Sequence, residues 1–228
     1  MALVKRTSLA ATLDAVNEAV FFDALPGKAE RREAARWIAG RQGLPGSYAG
    51  MFAPTAKDFA QGIRLFSGER IATRAGVGHI LGEEACRALH VLDVNDAAVA
   101  GALDRAGAGI LARLNEGHAE NHGRGTYCCG KCSVSLWRHL AAGGLNRAER
   151  RLAHGLATLK THRDGKGRWR VFPFHYTLLA LTEIDLPAAR REMRYAAPPC
   201  ERLLKRRASG DQFDRRRRAV AERALARC

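Results

Sequence analysis

Three cysteines, Cys128, Cys129 and Cys132, lie within five positions of one another in the stretch GRGTYCCGKCSVSLWRHL. Thiolates bind soft metal ions such as zinc, and two thiols separated by two residues at a helix start are typical of disulfide exchange. Cysteines also serve as small apolar residues where a helix packs closely on a neighbour. The types and spacing therefore leave three interpretations open: a metal site, a redox pair and a structural helix start.

The redox interpretation depends on the Cys129-Gly-Lys-Cys132 segment, in which Lys131 favours a thiolate. This segment resembles the cysteine pair of helical alkylhydroperoxidase-like proteins. Those proteins usually place a histidine one turn after the second cysteine, where this chain has Leu136, and His139 lies three residues further on.

The remaining cysteines, Cys86, Cys200 and Cys228, are scattered without the spacing of a disulfide framework. Asp14 and Glu18 interrupt the apolar residues near the start of the chain, and no apolar run approaches the roughly 20 residues that span a bilayer. We expect a cytoplasmic protein with no membrane span, whose thiols stay reduced.

The formal net charge of +15 is concentrated towards the end of the chain. Residues 187–228 contain 13 Arg or Lys against 5 Asp or Glu, a net +8 in one tail. That tail includes a run of four arginines, namely Arg215, Arg216, Arg217 and Arg218. It predicts either a site for nucleic acid or another acidic partner, or a solvated surface that braces the fold.

The elements that must position these residues are helices, because apolar residues recur at three- and four-residue spacing and strand-like alternation is almost absent. The pattern predicts an all-α fold. The predicted helices cover residues 8–23, 28–42, 54–67, 79–92, 96–115, 129–142, 147–162, 173–184, 188–196, 199–208 and 211–226.

A repeat organises these helices. Residues 35–48, 108–127 and 154–169 each run from an apolar-faced helix through a polar loop to a Gly-x-aromatic sequence, and a second helix follows. Residues 75–92 form a degenerate fourth copy without the aromatic residue. The pattern predicts about five helical hairpins in a domain of residues 1–186, followed by a basic helical extension at 187–228.

The loop sequence QGLPGSY at residues 42–48 resembles the Gln-x3-Gly-x-aromatic motif of terpene cyclases, and residues 163–169 resemble it with Arg in place of Gln. The chain is therefore similar to the α/α-toroid superfamily, which also contains protein prenyltransferases and lanthipeptide-cyclase-like proteins. The resemblance implies hairpins arranged as a toroid or open arc, with a central cavity lined by the second helix of each hairpin.

The same resemblance implies metal ligands at the cavity mouth. YCCG is similar to the segment that supplies a zinc-binding cysteine in lanthipeptide cyclases, which points to Cys128. FHY and GHILG lie where related segments would supply His175 and His79, but Phe174 stands where the family has a second cysteine. Zinc with three protein ligands could be completed by His79, Cys129 or Cys132 beside Cys128 and His175. His118 and His122 are further candidates.

Two acids complete the candidate site. Glu83 and Glu84 follow GHIL closely enough to act as catalytic acid or base, although adjacent acids near a helix start also commonly complement its dipole. The proton-donating Asp-x-Asp-Asp motif of terpene cyclases is not matched, because DVND has Asn95 at the decisive position.

Three functions follow as expectations. The first is a toroid enzyme similar to prenyltransferases and terpene cyclases, zinc-dependent and acting on a hydrophobic or peptidic substrate. The second is a non-catalytic helical-repeat module that binds nucleic acid or an acidic partner through its basic tail. The third is a thiol redox protein that uses Cys129 and Cys132.

Overall fold

The computed structural model describes residues 2–115 and 125–228, and it confirms the predicted all-α class. The described residues form ten α-helices, one short 3-10 helix and one small antiparallel hairpin of two-residue strands. The helices are α1 (Leu9–Phe21), α2 (Lys28–Ala39), α3 (Ala56–Gln61), α4 (Arg74–Leu92), α5 (Ala97–Asn115), α6 (Gly130–Ala142), α7 (Ala148–Thr161), α8 (Phe174–Glu183), α9 (Pro187–Lys205) and α10 (Gln212–Leu225). The 3-10 helix is Tyr48–Gly50, and the strands are β1 (Ile63–Arg64) and β2 (Arg70–Ile71).

The described residues divide into two compact units. The first unit contains residues 2–65, 70–115 and 142–146, and the second contains residues 66–69, 125–141 and 147–228. The division does not follow the boundary predicted at residue 186, since the basic extension belongs to the same unit as α6, α7 and α8.

The first unit is built around α4, which packs against α1 and α2. Most of its side chains from Val77 to Leu89 are buried, so α4 has little of the polar face that a surface helix would show. Polar groups at 79, 83, 84 and 87 therefore lie inside the unit, where they need partners.

The second unit is built around α6, α8 and the two C-terminal helices. α10 packs on α8 and α9, and it buries Val220, Ala221 and Ala224. Its first turn is capped as its sequence indicates, since the Asp211 carboxylate accepts hydrogen bonds from the backbone N–H groups of Phe213 and Asp214.

Three predicted helix boundaries are wrong, and one of them is the start of α4, which lies at Arg74 instead of residue 79. The helix predicted over 54–67 ends at Gln61, because Gly62 adopts a φ of +67° and the chain turns into the β1–β2 hairpin. The helices predicted over 188–196 and 199–208 form the single helix α9, which contains Pro198 and Pro199. Burial of Ala196, Pro199 and Cys200 along this helix offsets the backbone hydrogen bonds that the prolines cannot make.

The first and third copies of the predicted repeat each close their loop with a backbone hydrogen bond. In the first, the N–H of Ala53 donates to the carbonyl of Arg41 at 2.9 Å, and in the third the N–H of Arg170 donates to the carbonyl of His162 at 2.8 Å. The glycine of each Gly-x-aromatic sequence has a positive φ: +91° at Gly46, +70° at Gly125 and +86° at Gly167. The left-handed backbone explains why glycine recurs there.

The predicted fourth copy is wrong. Residues 75–92 lie within α4, and Gly76 is in the first turn of that helix rather than in a loop. The start of α4 resembles a repeat loop in sequence because each has a glycine at a crowded turn, where a larger side chain would clash.

No helix in the described ranges is both long and apolar enough to cross a membrane.

Candidate thiol site

The candidate site is formed by the turn that starts α6. The carbonyl of Cys129 accepts the first helical hydrogen bond from the N–H of Ser133 at 2.9 Å. The Ser133 hydroxyl donates to the same carbonyl at 2.8 Å and accepts from the N–H of Tyr127 at 2.8 Å. Ser133 therefore fixes the backbone on both sides of Cys128 and Cys129.

The three thiols, here called the thiol cluster (Cys128, Cys129 and Cys132), converge at this helix start. The N–H of Cys132 donates to the Sγ of Cys129 at 3.4 Å, and the Sγ atoms of Cys128 and Cys132 lie within 4.8 Å of each other. Cys128 and Cys129 are exposed, whereas Cys132 is only 4% exposed. The cluster thus pairs an accessible sulfur with a buried one, a single helical turn apart.

Hydrogen bonds within the thiol cluster separate the acidities of its members. The thiols of Cys128 and Cys132 donate to Cys129, and with the backbone N–H groups of Cys132 and Lys131 they hold the pKa of Cys129 well below its usual value. The hydrogen bond of Cys132 to Cys128, followed by its bond to Cys129 and by burial, raises the pKa of Cys132, and the bond to Cys129 raises the pKa of Cys128. A single thiolate in the cluster is therefore carried by Cys129.

A cavity of about 390 Å³ adjoins the thiol cluster within the second unit. Its lining includes Tyr127, Cys128, Cys129, His162, Val171 and Phe172. Phe172 stacks on Trp137 with ring centroids 5.4 Å apart, and the His162 ring meets Phe172 edge-on at 5.3 Å. The accessible sulfurs therefore border a space with a fixed aromatic wall.

The loop at Val171 is strained and tightly packed against the start of α6. Val171 has a φ of +60°, a conformation that costs a β-branched residue about 1–3 kcal/mol, yet its side chain is 74% exposed. A Cβ atom on Gly130 would lie 2.0 Å from the Val171 carbonyl oxygen. The absence of a side chain at Gly130 is what lets this loop approach the cysteines.

His162 is the site residue that sequence reasoning missed. It follows the last residue of α7 and has no motif around it, so the local sequence does not indicate a role at the site. The resemblance to alkylhydroperoxidase-like proteins places the partner histidine on α6, where this chain has Leu136. The sequence signal that could have identified His162 is the repeat, because the loop of the third copy is closed by a hydrogen bond to the His162 carbonyl.

The chemical surroundings of His175 differ from those of the thiol cluster. It is half-buried in the first turn of α8, and its Nδ1 atom is buried without a hydrogen-bond partner in the described structure. Burial, followed by the positive charges of Arg217 and Arg168, lowers the pKa of His175 to about 4. Among the residues that the structure describes, His175 is not one of any three metal-binding side chains that converge within 4.8 Å.

His79 and Glu83 form a buried pair inside the first unit. The Nε2 atom of His79 is 3.2 Å from a Glu83 carboxylate oxygen one helical turn along α4, and the Tyr48 ring lies 4.7 Å from the imidazole. A carboxylate bonded to one ring nitrogen fixes the orientation of the imidazole, as it commonly does behind metal-bound histidines. A metal ligand at His79 would then use Nδ1, and this role stays a prediction.

Glu84 belongs to a different polar network. Its carboxylate accepts from the Asn17 amide at 3.3 Å, and Arg87 donates to the Asn17 oxygen at 2.7 Å. All three side chains are buried, so the network compensates their desolvation. Glu84 therefore has a structural role between α1 and α4, and its predicted catalytic role gains no geometric support.

The arginine run at the start of α10 makes contacts within the second unit. Arg216 is 4% exposed, donates to the Phe66 carbonyl at 3.2 Å and lies 4.4 Å above the Phe66 ring. Arg217 donates to the Ser67 carbonyl at 2.7 Å, and Arg218 pairs with Asp214 at 2.9 Å. Of the four, Arg215 alone is classed as exposed, so the bracing alternative accounts for most of this run.

His118 and His122, and part of the second repeat copy, lie outside the described residues.

The chain matches no model of a known protein family. Comparisons with curated proteins and with solved structures likewise give no significant match.

Proposed function

We propose that this protein is a dithiol redox protein in which Cys129 and Cys132 exchange electrons with a disulfide. The observation that carries the proposal is the geometry of the pair: an exposed sulfur on the helix start, a buried sulfur one turn later, and a backbone N–H of Cys132 donating to the Cys129 sulfur at 3.4 Å. Backbone donors at a helix start stabilise a thiolate, which is the nucleophile in disulfide exchange.

The exchange balances with two electrons and two thiols. The Cys129 thiolate attacks one sulfur of the substrate disulfide, whose S–S bond breaks, and the departing thiolate takes a proton from water. Cys132 then loses its proton and attacks the Cys129 sulfur, which releases the second substrate thiolate and forms the Cys129–Cys132 disulfide. The protein dithiol is oxidised, the substrate is reduced, and a small dithiol reductant can restore the starting state.

The test is disulfide mapping of the whole chain after mild oxidation with oxidised glutathione. We expect one dithiothreitol-sensitive disulfide between Cys129 and Cys132, and a persistent mixed disulfide on Cys129 in the Cys132→Ser variant, because the resolving thiol is gone. The matched control is Cys86→Ser, which removes another buried cysteine and should leave the Cys129–Cys132 disulfide unchanged. Failure of the wild-type pair to oxidise would refute the proposal.

Zinc binding by the thiol cluster is the second candidate, and the approach of Cys128 and Cys132 within 4.8 Å favours it. Two thiolates on a tetrahedral zinc ion lie about 3.8 Å apart, given Zn–S bonds of about 2.3 Å. The spacing of the Cys128 and Cys132 sulfurs therefore suits two ligands of one zinc ion. Bound zinc would supply Lewis-acid chemistry at the cavity, and the thiols would hold it there.

Metal analysis of the protein purified without chelators separates the two candidates. Stoichiometric zinc that is lost in Cys128→Ser favours the metal site, whereas a metal-free protein with an oxidisable pair favours the redox function. Zinc content of His79→Ala and His175→Ala tests the two histidines predicted as ligands. The toroid architecture and an activity on hydrophobic or peptidic substrates stay predictions from the resemblance, as does polyanion binding by the tail.

A further inference from the structure

The cavity beside Cys129 has the dimensions of a small-molecule site. Its volume of about 390 Å³ lies near the lower end of the range of roughly 300–1,000 Å³ that ligand pockets occupy. A space of this size admits the substituent of a small molecule more readily than the backbone that flanks a disulfide in a folded protein. The size therefore favours a low-molecular-weight substrate.

Part of the wall of the cavity is aromatic and held in place. Phe172 is buried and stacked on Trp137, whose indole N–H donates to the Gly125 carbonyl at 2.7 Å. Tyr127 is also buried, and its N–H is bound by Ser133. A flat apolar group would meet a preformed surface there and would need little rearrangement of the protein.

The Val171 side chain is apolar and has no evident structural role in the fold. The side chain is 74% exposed, the backbone is in the left-handed region, and its carbonyl lies against Gly130 at the start of α6. Glycine or asparagine would satisfy this backbone better. A strained, exposed valine at the edge of a cavity that contains accessible thiols indicates contact with a ligand rather than support of the fold.

We infer that the cavity binds a small disulfide with an aromatic substituent, that Val171 and Phe172 contact this substituent, and that Cys129 attacks the adjacent sulfur. The inference rests on the dithiol function proposed above. The bonds broken and formed are those of that exchange: the substrate S–S bond breaks, the Cys129–Cys132 bond forms, and two substrate thiols are released.

The test compares two disulfides on the full-length dithiothreitol-reduced protein. The probes are dipyridyl disulfide, which is aromatic, and bis(hydroxyethyl) disulfide, which is small and aliphatic. The readout is the rate at which the Cys129–Cys132 disulfide forms, measured by alkylation quench and peptide mass spectrometry, so reaction at other cysteines does not contribute. We expect a rate that saturates with the aromatic probe and rises linearly with the aliphatic one.

Val171→Gly and Val171→Asn test the specificity contact. Both residues suit a positive φ, so both variants should keep or raise the melting temperature. The half-saturating concentration of the aromatic probe should rise about fivefold or more, as expected for losing part of one apolar side-chain contact. The rate of each variant with the aliphatic probe is measured alongside, so that a change in Cys129 reactivity is separated from a change in half-saturation. The matched control is Leu44→Asn, which removes another exposed apolar side chain, from the first unit.

These outcomes separate the proposed substrate class from the dithiol function on which it depends. If neither probe forms the Cys129–Cys132 disulfide, the dithiol function fails, and the inference fails with it. If both probes form it at rates that rise linearly, or if the two Val171 variants leave half-saturation unchanged, the dithiol function stands and the proposed substrate class is overturned.

Discussion

At the scale of single residues, His175 is an imidazole that the fold keeps neutral. Burial and the neighbouring guanidinium groups of Arg217 and Arg168 lower its pKa to about 4 from an ordinary 6.5, and only Asp214 acts in the opposite direction. Between these two pH values the unfolded chain binds a proton at this position and the folded chain does not. Protonation therefore favours unfolding, and stability falls as the pH drops from about 6.5 towards 4.

We predict that replacing His175 with Leu flattens this part of the pH profile. The midpoint of urea unfolding, measured between pH 7 and pH 4, should fall less steeply in His175→Leu than in the wild type, because one proton-linked term is removed. The control is His154→Leu, which changes an exposed histidine on α7. Equal slopes for wild type and His175→Leu would contradict the prediction.

The residues of the site differ in how far sequence could predict them. Cys128, Cys129 and Cys132 are adjacent in the chain, so their convergence follows from local helix geometry and was predicted. His162 and Val171 reach the cavity through the loop that follows α7, and no local pattern encodes that approach. His175 was predicted as a ligand from the resemblance to lanthipeptide cyclases, but its surroundings depend on Arg217 from α10 and Arg168 from the loop after α7, which that resemblance does not include.

At the scale of elements, the start of α6 and the Val171 loop depend on each other through backbone contact. Gly130 faces the carbonyl of Val171 and the Cα of Phe172, so this surface has no room for a side chain. The contact is between two backbones, which cannot move aside as a flexible side chain can. The geometry of the thiol cluster is therefore coupled to a loop about forty residues later in the chain.

We predict that Gly130→Ala destabilises the protein by about 1–3 kcal/mol, the usual cost of forcing an added group into a packed region. It should also raise the accessibility of Cys132 to alkylation, because the first turn of α6 must shift. The control is Gly107→Ala in α5, where the new Cβ would lie 3.6 Å from Leu145 and alanine favours the helix. Urea unfolding measures the first effect, and a Gly130→Ala variant as stable as wild type would refute it.

Helix content was predictable because apolar spacing survives in nearly every element, and the errors can be traced to particular residues. Gly62 ends α3 early because its left-handed backbone starts a hairpin that apolar spacing cannot reveal. The sequence pattern predicts separate helices over 188–196 and 199–208, but the buried face of α9 continues through Pro198 and Pro199. Tertiary packing decided both cases, and periodicity alone does not contain it.

At the scale of the whole molecule, part of the formal charge of +15 lies in arginines that make contacts within the fold. Much of the arginine run is used inside the second unit, where Arg216, Arg217 and Arg218 donate to backbone carbonyls. Deleting residues 211–228 would remove these contacts together with the charge. Loss of polyanion binding after such a deletion would therefore not separate charge from folding.

We predict that single substitutions in the arginine run differ sharply in their effect on the free energy of unfolding. Arg216→Ala should lower the free energy of unfolding by roughly 2–3 kcal/mol, because it removes a buried charged donor and the stacking of its guanidinium on Phe66. The matched control, Arg215→Ala, changes an exposed neighbour and should stay within about 0.5 kcal/mol of wild type. Similar effects of the two substitutions would show that the run acts only through its charge.

The residues between β1 and β2 prevent the second unit from being isolated as one continuous fragment of the chain. Phe66, Ser67 and Glu69 receive hydrogen bonds from Arg216, Arg217 and the N–H of Tyr176, yet the chain on either side of them belongs to the first unit. No single cut in the gene can therefore yield a complete second unit. A C-terminal fragment would lack the carbonyls that its arginines bind. During synthesis on the ribosome, the residues between β1 and β2 are made long before α10, so the second unit can be completed only after α10 has been added.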